Sequence, residues 1–351
     1  MAENIELLKR LCEESGAPGF EDRIRAIFCD EVREHVDRIE VDGIGNVIAV
    51  REGEEGAPKV MVAGHLDEIG FVVNHIDDKG FLRIHPLGGF DPKTLVAKRV
   101  RIIDANGQDI IGVIGTKPVH IMSPEERKKP LDLKEFFVDV GLPVEEVKER
   151  VRVGDPVTLY QSFEQVGNYY TSKSMDNRVS IYTLIELIKR VKSRKVSLYA
   201  VATVQEEIGL RGAMTATQAV QPDIGIAVDV TLACDVPASK PEERVTALGE
   251  GTAIKILDSS LICTPKLVDR FRQLAKENDI PHQMEILPAG GTDAGAIQRS
   301  GRAVPSITLS VPCRYVHSVV EMVHGGDLEA TVQLLATFME SAHDVDLTYN
   351  S

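Results

Sequence analysis

The sequence predicts an α/β protein with a mainly parallel central sheet flanked by helices and an inserted small β-barrel-like domain. Strand-length apolar segments alternate with amphipathic helical segments near both ends of the chain, which is typical of a parallel sheet buried on both faces. Short β-rich segments, closely interrupted by Gly, Pro, Asn and Asp, occupy the middle. We therefore expect one α/β domain formed by residues 1–68 and 167–351, and an inserted β-rich domain at residues 69–166.

The first part of the α/β domain is expected to contain two helices and two strands. Residues 3–14 have apolar side chains at helical spacing and are followed by Gly16, and residues 21–34 repeat that spacing. The apolar segments at 46–50 and 59–64 are separated by a charged turn that contains glycine. This arrangement predicts two short strands.

The inserted region contains short runs of residues with strand character. They are FVVNHI, FLRIHPL, RVRIID, DIIGVIG and DPVTLY, with turn residues between them. Several short strands at such close spacing predict a small barrel or sandwich. The stretch 124–150, which mixes acidic and basic residues, lacks this alternation, and we expect it to be helical or a loop.

The last part of the chain returns to alternating helices and strands. Residues 178–192 place an apolar stripe on one helical face. The segments that follow are predicted as a strand at 196–205, a helix at 209–219, a strand at 223–230, a helix at 265–278, strands at 282–287 and 305–311, and a helix at 326–342. The order of these segments is that of a sheet built from α/β units.

The composition excludes two classes of binding function. The chain has 351 residues, of which 43% are hydrophobic and 27% charged, an ordinary balance for a globular protein. Acidic residues outnumber basic ones by 54 to 40, which gives a formal net charge of −14. Because binding to nucleic acid or to an anionic membrane needs an excess of Lys and Arg, we expect neither as a partner.

Cysteine usage and the first residues predict a cytoplasmic protein. The five cysteines are scattered without a CxxC pair, as in a chain kept reduced inside the cell. The opening segment MAENIELLKRLCEESG lacks the apolar core of a signal peptide. No apolar run approaches the roughly 20 residues needed to span a bilayer.

Metal-capable side chains follow several of the predicted strands. Because ligand sites in such sheets collect at the carboxyl ends of the strands, we expect these side chains to meet at one edge. The candidates are His65 and Asp67 after the strand at 59–64, Glu206 and Glu207 after 196–205, Asp229 near the end of 223–230, His317 after 305–311, and Asp176 before the helix at 178–192.

Each candidate also has an ordinary structural interpretation. A histidine after a strand is commonly a hydrogen-bonded structural residue, Asp176 has the position of a helix-capping acid, and Glu206 and Glu207 could form a solvated turn. Asp229 is harder to explain in this way, because a charge inside the apolar run IGIAVDV is costly unless it is paired or binds a metal. Together the candidates predict a metal site.

Six segments carry a resemblance to a known family. AGHLDEIGF, SMDNR, VQEEIGLRGA, AVDVT, GGTDAGAI and VPCRYVHS occur in this order and resemble the tetrahedral (TET) aminopeptidases. These are dinuclear metallopeptidases, whose members include glutamyl and leucyl aminopeptidases and proteins described as endoglucanases (cellulase M). The resemblance extends from the N-terminal helices to the last helix and therefore covers nearly the whole chain.

The resemblance implies a ligand set for two divalent metal ions. Asp176 would bridge the ions, His65 and Asp229 would complete one, and Glu207 and His317 would complete the other. Nitrogen and carboxylate ligands of this kind suit zinc or cobalt better than magnesium.

The resemblance also implies the catalytic residues. Glu206 would be the general base that takes the proton of the attacking water. Asp67 lies two residues after His65 on an extended chain, and its carboxylate is expected to accept the second ring N–H of that histidine.

The expected function is removal of N-terminal residues from short peptides. In the family that the chain resembles, the inserted domain is a dimerisation module, and twelve subunits form a tetrahedral shell. We therefore expect a homo-oligomer of this kind. The preferred N-terminal residue and the physiological metal stay open, as do the roles of Thr292, Asp293 and Arg314, although Arg314 is a candidate partner for an acidic substrate side chain.

Three alternatives remain at this stage. A glycoside hydrolase of the endoglucanase type would use two carboxylates as acid and base, but the chain has no Trp and only 5% aromatic residues to stack on sugar rings. A metal amidohydrolase such as a deacetylase or carboxypeptidase would use a similar ligand set. A non-catalytic scaffold is disfavoured because every expected ligand and the base are present.

Overall fold

The protein is described here by a computed structural model that covers residues 4–237 and 239–348. Its helices are α1 (Ile5–Glu13), α2 (Asp22–Val32), α3 (Val144–Arg150), α4 (Met175–Arg190), α5 (Arg211–Val220), α6 (Pro265–Glu277), α7 (Asp293–Arg299) and α8 (Gly325–Ser341). None of the helices in these residues is long and apolar enough to cross a lipid bilayer.

The strands form one large sheet and one closed barrel. They are β1 (Arg38–Val41), β2 (Val47–Arg51), β3 (Lys59–His65), β4 (Gly70–Ile76), β5 (Leu82–Leu87), β6 (Arg99–Ile103), β7 (Asp109–Gly115), β8 (Phe137–Asp139), β9 (Pro156–Tyr160), β10 (Glu164–Val166), β11 (Tyr169–Ser172), β12 (Ser197–Thr203), β13 (Ile224–Leu232), β14 (Thr252–Leu257), β15 (His282–Ile286), β16 (Ser306–Arg314) and β17 (Glu321–His324).

The large sheet is parallel at its centre and antiparallel toward its edges. Its main order is β1-β2-β12-β3-β13-β16-β17-β11-β10, and β14 pairs with both β15 and β16. The neighbours β12, β3, β13 and β16 are parallel to one another, whereas β1, β2, β17, β11 and β10 pair in antiparallel fashion. The predicted α/β fold with a parallel central sheet is therefore confirmed, within a sheet that is mixed as a whole.

The central strands are buried because helices cover both faces of the sheet. Along β3, Val60 and Val62 belong to the apolar cluster that includes α4, whereas Met61 and Ala63 belong to the cluster that includes α5 and α7. Successive side chains of a strand point to opposite faces. A strand covered on both faces must therefore be apolar at nearly every position, which explains the continuous apolar runs in the sequence.

The barrel has the strand order β4-β5-β8-β7-β6-β9, and β9 closes it against β4. Strand β7 shows why its sequence alternates, because Ile110 and Ile114 are buried in the barrel core while Ile111 and Val113 are exposed. The expected small β-barrel is confirmed, and its strands lie between residues 70 and 160. The exact domain boundaries that we assigned at 1–68, 69–166 and 167–351 stay a prediction.

Several elements have no clear pattern in the sequence. The stretch 124–150 contains short 3-10 turns, strand β8 and helix α3, so it is neither a continuous helix nor a bare loop. Strand β14 was missed because the fully buried Lys255 interrupts its apolar run. Helix α7 is only seven residues long, and its sequence DAGAIQR has too few turns to show a helical period.

Candidate metal centre

Six of the predicted side chains meet at one edge of the central sheet. They line the same cavity and are called the His–carboxylate cluster below: His65, Asp176, Glu206, Glu207, Asp229 and His317. His65 is the last residue of β3, Glu206 and Glu207 follow β12, and Asp229 lies within β13. Because β12, β3 and β13 are parallel neighbours, their carboxyl ends deliver these side chains to one place.

The two remaining members come from the start of a helix and from a loop. Asp176 is the second residue of α4, where its φ and ψ angles are not helical, and the peptide bond between Asp176 and Asn177 is cis. His317 lies between β16 and β17 with a positive φ of 62°. Both residues therefore depart from regular structure at the point where their side chains enter the cluster.

His65 faces three carboxylates. Its Nε2 atom lies 3.3 Å from Oδ1 of Asp176, 3.8 Å from Oε2 of Glu206 and 3.8 Å from Oδ1 of Asp229. The ring is almost fully buried, so its solvation depends on these groups. One nitrogen and several carboxylate oxygens around a common space are donors that suit a divalent transition metal.

His317 faces the opposite side of Asp176. Its Nε2 atom lies 3.4 Å from Oδ2 of Asp176 and 3.4 Å from Oε1 of Glu207. The two oxygens of Asp176 are therefore directed at two different imidazoles, one at each end of the cluster. A carboxylate in this position is able to contribute one oxygen to each of two cations.

The donor atoms of the cluster lie at distances that fit a metal ion, and one of them has no other partner. The ligand atoms of His65, Glu206 and Asp229 lie within 4.8 Å of one another, as do those of His65, Asp176 and Glu207. Oε1 of Glu207 is buried and has no hydrogen-bond partner in the described part of the chain. A buried acceptor without a partner is costly, and a bound cation would remove that cost.

The electrostatics of the cluster also favour bound cations. Burial raises the pKa of Glu206, Glu207 and Asp229, and the neighbouring carboxylates add to the effect. Burial alone would lower the pKa of His65, but the carboxylates of Glu206, Asp176 and Asp67 raise it well above its usual range. Without a metal the cluster therefore retains protons, because several ionised carboxylates buried close together would repel one another and lack hydration.

Asp176 is the exception among the acids. Burial acts to raise its pKa, but the adjacent imidazoles of His317 and His65 outweigh that effect and hold its pKa below its usual value. Asp176 is thus the carboxylate most easily ionised in the cluster, which is consistent with its position between the two imidazoles.

Asp67 lies behind the cluster, and its contacts differ from the expectation. Nδ1 of His65 is 2.9 Å from the backbone carbonyl of Asp67 and 3.6 Å from its carboxylate. The carboxylate instead accepts the backbone N–H groups of Glu206, at 3.0 Å, and Glu207, at 3.1 Å. The carbonyl thus orients the imidazole, and the carboxylate orients the segment that carries the two glutamates.

Glu321 is a buried residue of the site that the sequence analysis missed. Its Oε2 accepts the backbone N–H of Asp176 at 2.9 Å, and its Oε1 accepts that of His317 at 2.7 Å. It therefore fixes the backbone of two cluster members from behind. Its position four residues after His317, in a segment that is otherwise apolar, was the available signal.

A buried ionic network supports the same region from the side of the N-terminal helices. Nζ of Lys173 lies 2.7 Å from Oε1 of Glu68, and Nη2 of Arg178 lies 3.2 Å from that oxygen. Arg178 also donates to the carbonyl of Leu11 at the end of α1. Because Glu68 follows Asp67 and Arg178 follows Asp176 by two positions, the network connects the loop after β3 to the start of α4.

The cavity beside the cluster has a volume of about 480 Å³. Thr292, but not Asp293, is among its lining residues. Asp293 begins α7 and is buried, its Oδ2 accepts the hydroxyl of Thr203 at 2.5 Å, and burial raises its pKa to about 6. Arg314 lies outside the lining and is paired with Asp235 at 2.7 and 2.6 Å.

Comparison with known proteins gives consistent matches along the chain. Residues 45–334 match the family model described as M42 glutamyl aminopeptidase. A protein of Acetivibrio thermocellus described as an aminopeptidase is 41% identical over 94% of this chain and 97% of its own length. The lysyl aminopeptidase of Pyrococcus furiosus is 36% identical over 98% of this chain and 99% of its own.

Solved structures agree with these matches. An aminopeptidase from Desulfurococcus kamchatkensis superposes with a TM-score of 0.92 at 39% identity, covering 96% of this chain and 94% of its own. The TET1 peptidase of Pyrococcus horikoshii, described as assembling into a tetrahedron or a large octahedral shell, gives a TM-score of 0.85 at 33% identity, covering 95% and 98% of the two chains.

Proposed function

The chain belongs to the M42 glutamyl aminopeptidase family, and we propose that the His–carboxylate cluster is the site at which it removes N-terminal residues from short peptides. The protein is a metal-dependent aminopeptidase, a peptide hydrolase that uses divalent metal. One observation carries the assignment of the site. The two oxygens of Asp176 face the imidazoles of His65 and His317 at 3.3 and 3.4 Å, as a carboxylate shared by two cations requires.

We assign the ligands accordingly. His65 and Asp229 would hold one ion, Glu207 and His317 the other, and Asp176 both. Two nitrogens among carboxylate oxygens favour zinc or cobalt over magnesium. When bound, such ions polarise a carbonyl group and lower the pKa of water.

Glu206 is assigned as the general base. It lies in the cluster with its Oε2 3.8 Å from Nε2 of His65, and burial raises the pKa of its carboxyl group, the direction that favours a group that takes up and returns protons. It would take the proton of the attacking water and return it to the leaving amine. Asp67 is assigned as a positioning residue, since it holds the backbone of Glu206 through a 3.0 Å hydrogen bond.

The activity is tested with a pair of peptides that differ only at the N-terminus. The metal-loaded protein should release the first residue of a short peptide with a free N-terminus and leave the N-acetylated peptide intact. Removal of the metal by a chelator should abolish the reaction, and added zinc or cobalt should restore it. Cleavage of both peptides at equal rates, or full activity at zero metal content, would contradict the proposal.

We also propose a homo-oligomeric shell assembled from dimers through the barrel. The described assembly of the TET1 peptidase supports this, and so do apolar side chains exposed on or beside the barrel, namely Ile111, Val113, Val119 and Ile121. Such a shell would admit only short peptides to the enclosed sites. Light scattering should give a mass near twelve times the 38.5 kDa of one chain, as in the related dodecamer, and a mass of one chain would contradict it.

A further inference from the structure

The first residue of a peptide substrate has its side chain close to the reacting bond. The scissile carbonyl and the free α-ammonium group are attached to the same carbon atom as that side chain. Once the carbonyl lies next to Glu206, the side chain has to enter the adjoining cavity of about 480 Å³. The residues that line this cavity beyond the His–carboxylate cluster therefore decide which N-terminal residue is accepted.

The wall of the cavity beyond the cluster is mainly apolar. Its apolar lining residues come from separate segments: Leu210 just before α5, Val230 and Leu232 in β13, Leu287 after β15, and Val316 after β16. Ala289, Gly290 and Gly291 also line the cavity, and none of them has a polar side chain. An aliphatic side chain placed here would exchange water for apolar neighbours, which stabilises the complex.

The two hydroxyl groups in the wall are already engaged inside the protein. Thr231 donates to Oε1 of Glu285 at 2.6 Å. The hydroxyl of Thr292 lies 3.3 Å from Oδ2 of Asp258 and 2.9 Å from the hydroxyl of Thr308. Neither threonine therefore has a free hydroxyl proton for a polar substrate side chain.

No lysine or arginine in the described ranges lines the cavity where it could receive an acidic side chain. The guanidinium of Arg314 is held by two hydrogen bonds to Asp235. Lys255 is fully buried with its Nζ 2.6 Å from Oε1 of Glu285. A glutamate side chain would lose its hydration here without gaining a partner, which disfavours its binding.

A basic side chain meets a similar obstacle. The carboxylates that line the cavity in the described structure all belong to the His–carboxylate cluster, where the imidazoles and the metal ions compete for them. A lysine ammonium group placed among the other described lining residues, such as Leu232 and Leu287, would have no carboxylate partner there. Asp258 and Glu285 lie behind the two threonines and are already hydrogen-bonded.

We infer that this aminopeptidase prefers an uncharged aliphatic N-terminal residue such as leucine or methionine, and discriminates against glutamate and lysine, because the cavity beside the cluster has an apolar wall. The inference rests on the proposed function of the cluster. It also answers the question left open for Arg314, whose pairing with Asp235 leaves it no role in holding an acidic substrate.

The experiment measures kcat/KM of the zinc-loaded enzyme for the p-nitroanilides of leucine, methionine, alanine, glutamate and lysine. The values of kcat/KM for the leucine and methionine substrates should exceed those for the glutamate and lysine substrates by about tenfold or more, because a charged side chain would have no partner in the cavity. A ratio below tenfold, or a preference for either charged residue, would overturn the inference and leave the proposed function intact. Failure to hydrolyse any of the substrates or a free dipeptide would overturn both.

A charge placed in the wall provides the second test. Leu232 is 43% exposed and lines the cavity, so Leu232→Lys should fold and offer a cation to a glutamate side chain. The ratio of kcat/KM for glutamate over leucine should rise about tenfold. The matched control is Ile286→Lys, at a position that is 55% exposed and outside the lining, and it should leave the ratio unchanged. A rise of less than about threefold in Leu232→Lys, or an equal rise in the control, would overturn the inference.

Discussion

The carboxylate of Glu321 accepts the backbone N–H of Asp176 over 2.9 Å, and so a buried acid outside the His–carboxylate cluster fixes the residue at the cluster's centre. Its second oxygen accepts the backbone N–H of His317 over 2.7 Å. One side chain thus fixes the backbone of two members of the cluster, Asp176 at its centre and His317 at one end. Residues that orient metal ligands in this way commonly affect metal affinity.

Glu321→Gln should weaken metal binding by about 10- to 100-fold. An amide offers one acceptor oxygen, so its NH2 group would face one of the two backbone N–H groups, and either Asp176 or His317 would shift. The affinity is measured by zinc titration of the metal-stripped protein against a chromophoric chelator.

Asp327→Asn is the matched control for this variant. Asp327 is also buried and also accepts two backbone N–H groups, from Gly249 at 2.7 Å and Gly251 at 2.8 Å. It lies outside the cluster and the cavity lining. The control should lower the free energy of unfolding without changing zinc affinity. Equal zinc affinity in the Glu321 variant and the wild type would refute the orienting role.

Glu206→Gln should lower kcat by about 10²- to 10⁴-fold while each chain keeps its full metal content. Glutamine preserves the shape of the side chain but accepts no proton.

Glu207→Gln is expected to behave differently and lose metal, because Oε1 of Glu207 faces His317 at 3.4 Å and has no hydrogen-bond partner in the described chain. Activity assays combined with elemental analysis distinguish the two roles. A fully active Glu206→Gln enzyme would show that another group is the base.

Metal binding should release protons, and metal affinity should fall as the pH falls. The pKa of His65 and of His317 is raised by the surrounding carboxylates in the metal-free protein, in each case against the lowering effect of burial. Both imidazoles are therefore protonated near neutral pH, and a metal ion must displace those protons. Calorimetric titration in two buffers with different ionisation enthalpies measures the number released. Identical binding enthalpies in both buffers would contradict the prediction.

Glu21→Gln should raise the free energy of unfolding above that of the wild type at pH 8. This gain should be larger by about 1–3 kcal/mol at pH 8 than at pH 4.5. Burial raises the pKa of Glu21 to about 7, and the carboxylate of Asp67 adds to this. The folded state thus binds the proton more tightly than the unfolded state. Its stability falls as the pH rises from about 4.5 to 7, because the buried group must then ionise. Glutamine avoids that cost and retains an acceptor for the N–H groups of Gly19 and Gln205.

The measurement is urea unfolding of both proteins at the two pH values, with a chelator present throughout so that metal binding does not enter the comparison. The exposed Glu340 provides the control, since Glu340→Gln should shift stability equally at both pH values. If the free energies of unfolding of the wild type and Glu21→Gln differ by the same amount at pH 4.5 and at pH 8, Glu21 does not titrate in this range.

The enzyme should not hydrolyse carboxymethylcellulose. Aside from the two histidines, none of the cavity-lining residues in the described ranges has an aromatic ring on which a sugar could stack. A reducing-sugar assay with the zinc-loaded enzyme checks this. Release of reducing ends that survives metal removal would instead support the glycoside hydrolase alternative.

Much of the fold was predictable because buried positions are occupied by apolar residues, and their spacing is visible in the amino-acid sequence. Strands β3, β12, β13 and β16 are buried on both faces, so they required long apolar runs, and the helices between them required apolar stripes. The candidate ligands could be named because polar residues that end such runs must lie at the edge of the sheet. Strand β14 escaped prediction because Lys255 is buried through a pair with Glu285, which lies 30 residues later.

The α/β architecture, the barrel and the set of side chains able to bind metal could be predicted from the amino-acid sequence, because they depend on local periodicity and on residue type. Which groups contact one another depends on the three-dimensional arrangement of the folded chain. This arrangement directed the carboxylate of Asp67 to the glutamate segment, placed Glu321 behind Asp176, and paired Arg314 with Asp235. Each of these contacts joins residues 79 to 145 positions apart. A hydrogen bond depends on the distance and direction between two groups in space. Such contacts between distant residues produce no periodic pattern in the sequence.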